Sequence, residues 1–96
     1  MTEHWKHRVT ERIGCVDPKT LWDAVQWAVA NDRDDLAEFV CRVSKTGRRL
    51  FRIKVPPGRV FFVLINTDTM TPITVMPPGF RVNRQGKRAM VLRDAS

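Results

Sequence analysis

Two histidines, arginines at helical spacing and one threonine in an apolar run are the residues of this 96-residue chain best suited to chemistry. His4, Arg8 and Arg12 recur every four residues, which on a helix stacks them along one line. Histidine titrates near neutrality and serves as acid or base, while arginine stays charged and grips phosphate through a bidentate fork. Thr74 is the lone hydroxyl of the stretch Pro72-Ile73-Thr74-Val75-Met76. That set suits metal-independent cleavage of RNA. The reaction needs a base for the 2′-hydroxyl, an acid for the leaving 5′-oxygen and fixed positive charge beside the phosphorane. His4 would be acid or base, Arg8 the clamp and Thr74 an orienting hydroxyl, with no cofactor required.

These groups act together only if the fold brings a helix over a strand. Residues 4–13 read as a short helix with an apolar stripe of Trp5, Val9 and Ile13, flanked by His4, Arg8 and Arg12 and ended by Gly14. Asp17 and Pro18 open a second helix over 18–30 as N-cap and first helical residue. Its apolar face is Leu21, Trp22, Ala24, Val25, Ala28 and Val29; Trp27 lies off that face, either covering a loop or exposed as a contact residue. After Asn31 to Asp35 the period changes to two. Strands are expected at about 38–44, 49–55, 60–66 and 72–76, the third being central and covered on both faces. Phe39, Cys41 and Val43, with Phe51, Ile53 and Val55, would form one apolar face. The two helices can cover only one face, leaving Arg42, Arg52 and Lys54 on the open side. Residues 81–96 read as a fifth edge strand, a docked tail or a frayed end. The expected fold is a single α+β domain, two N-terminal helices on one face of a three- to five-stranded antiparallel sheet.

The charge is +7 with a pI near 10.5, which favours a polyanionic partner. It is unevenly spread: between Phe39 and Thr67 there are seven Lys and Arg and no Asp or Glu. The positive charge therefore belongs to the sheet; Arg42, Arg52 and Lys54 there, with Arg12 on the flank of the first helix, are the candidate nucleic-acid contacts.

Several classes are set aside by composition. There is no Gly-rich phosphate loop, no HExxH, no carboxylate cluster for magnesium and no Cys or His cluster for zinc. Cys15 and Cys41 show no framework spacing and are expected as free thiols. No apolar run has the length of a membrane span, and the N-terminus lacks a signal peptide's apolar core. A cytoplasmic location and no membrane partner are expected, with secretion by a signal-less route left open.

The ordered pattern His4-x3-Arg8-x3-Arg12-Ile13-Gly14, a capped second helix and a strand Pro72-Ile-Thr-Val-Met-Pro77 resembles the small domains of the barnase/EndoU/colicin/RelE superfamily. The resemblance covers about His4 to Pro77. It implies a two-helix layer on an antiparallel sheet and a toxin-type endoribonuclease acting on tRNA or mRNA, with an acidic antitoxin or immunity-type protein as a further partner. It places His4 and Arg8 in the active site, Arg12 as a supporting cation and Thr74 facing the cleft. The chain has no tyrosine, so no scheme using one applies. Two other readings stay open: a non-catalytic phage or mobile-element module that binds nucleic acid or protein, and a protein-facing subunit using Trp27 and the apolar tail.

Overall fold

A computed structural model of the chain describes residues 3–14, 16–55, 58–84, 86 and 88–92. Cys15 and residues 93–96, for which a free thiol and the end of the tail are expected, lie outside that set. Two helices, α1 (Glu3–Arg12) and α2 (Pro18–Ala30), precede four strands, β1 (Ala37–Arg42), β2 (Arg48–Val55), β3 (Arg59–Asn66) and β4 (Thr71–Met76). The strands form an antiparallel meander in the order β1-β2-β3-β4. Both helices pack on one face of it, giving an α+β fold.

Local chemistry sets the helix ends. Gly14, at φ +86°, takes the left-handed conformation that closes α1, and its N–H donates to the Val9 carbonyl at 3.1 Å. Arg59 donates to the Ile13 carbonyl at 3.2 Å, placing a cation at the negative end of the helix dipole. Asp17 caps α2 by accepting from the Thr20 amide at 2.9 Å and the Thr20 hydroxyl at 3.1 Å. These bonds, the amide first, hold the Asp17 carboxyl below its ordinary pKa. A depressed carboxylate adds stability above its unfolded pKa and loses it as pH falls through the folded value. Asp17→Ala is therefore expected to lower the thermal midpoint by about 5 °C at neutral pH. Asp17→Asn, which keeps the cap but cannot ionise, should lose less at pH 7 and show a shallower fall toward acid in pH-dependent melting.

Trp5, Val9 and Ile13 turn inward as one stripe and meet Trp22 and Val25 of α2 and Phe61, Val63 and Val75 of the sheet. Each such side chain contributes about 1.5–3 kcal/mol on burial. Trp5 also donates from Nε1 to the Pro18 carbonyl at 3.1 Å and meets Trp22 edge to face, which fixes α1 against the start of α2.

The outer face of the sheet is not open. A second core, Leu50, Phe62, Met76, Val82 and Leu92, lies there, with Cys41 and Leu64 packed against it. Its lid is a two-stranded hairpin, β5 (Arg81–Val82) and β6 (Met90–Val91), separate from the main sheet. The hairpin is clasped by Gly79 N–H to Leu92 carbonyl at 2.7 Å and Leu92 N–H to Phe80 carbonyl at 2.9 Å. The tail is thus a docked layer and not a fifth strand. Apolar residues at outward positions of β2 and β3 demand such cover, and β3 is covered on both faces as its composition requires.

Candidate nucleic-acid interface

Two β-bulges decide where the candidate side chains point. In β1, Phe39 pairs with Phe51 but Cys41 pairs with Leu50, so Val40 is an extra residue. A one-residue slip reverses every later side chain. Cys41 accordingly joins the outer core, its Sγ 3.9 Å from Met90 Sδ, and Arg42 turns to the helix side opposite Arg49. Arg42 therefore does not share a face with Arg52 and Lys54, contrary to strict alternation. Phe39 stays on the helix side but is 52% exposed, because β1 is an edge strand that the helices only partly cover.

In β4, Pro72 pairs with Ile65 and Thr74 with Leu64, leaving Ile73 as the extra residue. Directly paired residues point the same way. Thr74 thus faces outward with Leu64, while its neighbour Val75 enters the core beneath α1. The threonine side chain and α1 lie on opposite faces of the sheet, so the expected meeting of His4 and Arg8 with Thr74 does not occur.

The cations of α1 are engaged elsewhere. Arg8 Nη1 donates to Glu11 Oε1 at 2.9 Å, and His7 Nε2 lies 3.0 Å from Glu11 Oε2. Slight burial pulls the Glu11 carboxyl up, but the Arg8 bond and the charges of Arg8, His7 and Arg12 bring it below its ordinary pKa. Arg12 reaches the sheet edge, donating to the Val75 carbonyl at 2.6 Å with its guanidinium 4.6 Å from the Phe80 ring centre. Burial, then the nearby Arg8 charge, lowers its pKa against the pull of Glu11. Arg12 is a clamp between α1, β4 and the hairpin, and not a solvent-facing contact. His4 is exposed in the first turn of α1.

Arg52 and Lys54 do lie on the outward register of β2, as their alternation implies, with Glu38 directly across from Arg52. Lys54 also acts on Asp35, whose carboxyl is lowered first by its hydrogen bond from Arg33. Arg48 shares the outward register, paired with Asn66. Sequence reasoning missed the hairpin's contribution. With Val82 buried, Arg81 turns outward, and Arg88, whose carbonyl accepts from Arg84 Nε at 3.1 Å, is exposed in the same lid. Over residues 39–92 the chain carries eleven Lys and Arg against one acid, Asp68, whereas residues 1–38 carry five against eight. The basic charge is concentrated in the sheet and hairpin, and the acidic excess in the helical layer and the loop after it, with Glu38 of β1 as the exception.

Trp27 is 51% exposed and carries the Arg33 guanidinium 5.5 Å above its ring, while Arg33 forks onto Asp35 at 2.8 and 3.0 Å. Among the described residues no group of three or more His, Cys, Asp or Glu is placed to hold a metal ion, and no helix is long and apolar enough to cross a membrane.

No family model, no curated protein and no solved structure matches the chain. The resemblance to the barnase/EndoU/colicin/RelE superfamily accordingly rests on motif order alone.

Proposed function

We propose that the chain is an RNA-binding domain that holds single-stranded RNA on its sheet-and-hairpin side. The observation that carries this reading is the excess of cations on that side: Arg48, Arg52 and Lys54 on the outward register of β2 and the exposed Arg81 and Arg88 of the hairpin, against Glu38 of β1. Such a surface attracts a phosphate backbone by releasing counterions. Phe80, 39% exposed with Arg12 against its ring, and Val91, 42% exposed, add apolar surface among the arginines of the hairpin. The motif order places RNA ahead of DNA. The proposal stops at binding, because the acid, clamp and hydroxyl that cleavage needs at His4, Arg8 and Thr74 are not assembled.

Fluorescence anisotropy with a labelled single-stranded RNA in EDTA tests it. Binding that weakens steeply with salt is expected, and His4→Ala should change the affinity less than about twofold, as expected for a residue away from the phosphate contacts. An RNA cut by the parent and left whole by His4→Ala would restore the catalytic reading and overturn this one.

A further inference from the structure

The cleft between α2 and β1 has a different character from the basic side. It holds about 300 Å³ over a floor that includes Ala28, Val29, Phe39 and Phe51, with Asp32 and Asp34 before β1 and Arg49 near its far end. A second cleft, lined by Leu21, Ala24, Val25 and Leu36, adjoins it through the shared Ala28 and Ala37. Leu36 and Phe39, 41% and 52% exposed, stand along this apolar path. β1 is an edge strand. The opposite edge, β4, is closed to pairing by α1, by Pro72 and its bulge, and by Arg12 on the Val75 carbonyl.

Arg42 lies directly across from Arg49, and like charges so placed repel. Arg49 donates to Thr67 Oγ1 and to the Gly47 carbonyl, neither of them an acid. At the other end of the strand the loop carries Asp32, Asp34 and Asp35, of which Asp35 is held by Arg33. The edge is therefore acidic where it begins and basic where it ends. RNA would be repelled at one end, and a partner of a single charge sign at one end or the other.

We infer that this edge and its cleft form a two-fold contact with a second copy of the chain, the two β1 strands antiparallel. Asp32 and Asp34 of each copy then meet Arg42 and Arg49 of the other, and Phe39 is buried at the contact. A two-fold interface needs a surface complementary to itself, which an edge with opposite charges at its ends provides. The bulge at Val40 bends the end of β1 and the Ala37 N–H is already given to the Arg33 carbonyl, so ladder bonds are confined to Phe39 and the Ala37 carbonyl and side chains make most of the contact.

Sedimentation velocity in the tens-of-micromolar range tests the inference. A dimer that weakens with salt is expected for the parent chain. Asp34→Arg alone and Arg42→Glu alone each place like charges together at both contacts and should raise the dissociation constant at least about tenfold. An equimolar mixture of the two variants restores opposite charges at both contacts, so a one-to-one heterodimer of near-parental affinity should form. A chain that stays monomeric, single variants as tight as the parent, or a mixture no tighter than either variant would each overturn the inference.

Discussion

Replacing Arg48, Arg81 and Arg88 together by glutamine should weaken single-stranded RNA binding about 100-fold near 0.1 M salt and reduce the salt slope by about two. All three side chains are exposed, two of them on the hairpin and one on the outward register of β2, so the substitutions leave both cores untouched. The two readouts are linked: each lost phosphate contact removes about 0.7 from the slope for a single strand. A fall in affinity with an unchanged slope would mean that these arginines do not touch phosphate. An unchanged affinity and slope would place RNA elsewhere or nowhere. Circular dichroism of the variant, expected to match the parent, separates lost contacts from lost fold.

Leu92→Ala should destabilise the protein by about 2–5 kcal/mol, measured by urea unfolding. Leu92 is 1% exposed and closes the outer core over Leu50 and Phe62, while its backbone joins the hairpin to Gly79 and Phe80. Truncating it opens a cavity in a layer only one hairpin thick. For a small domain with a total stability of about 5–15 kcal/mol, this is a large share. The same variant should lose RNA affinity, because the hairpin that presents Arg81 and Arg88 is held down by this side chain. A change under about 0.5 kcal/mol, the range usual for surface substitutions, would mean that the hairpin does not depend on Leu92 for its docking.

The helices and the four main strands were legible because their signals are local. A four-residue stripe ending at Gly14, the Asp17-Pro18 cap and period-two alternation each report on a few neighbouring residues. The two bulges were not legible. A bulge is an extra residue in a pairing that only the partner strand reveals, and nothing in the types of Val40 or Ile73 marks them as the unpaired ones. Each reverses the side chains beyond it, which moved Arg42 away from Arg52 and put Thr74 on the far side from α1. The hairpin layer was half legible. A docked tail was one of three expectations for residues 81–96, but Leu50, Phe62 and Leu64, at outward positions where a solvated face would carry polar residues, were not read as a demand for cover and that face was expected to be open. The hairpin's strands, two residues each, are too short to show a period. Arg12 was read as a binding cation because sequence records its charge and not the carbonyl and ring that occupy it.

The most direct measurement is a titration of the nitrogen-15 labelled protein with a short single-stranded RNA, followed through backbone amide shifts. RNA on the sheet-and-hairpin side predicts the largest changes at residues 48–54 and 80–92, with α1 and α2 nearly still. Changes centred on His4 and Arg8, with the hairpin amides unmoved, would contradict it.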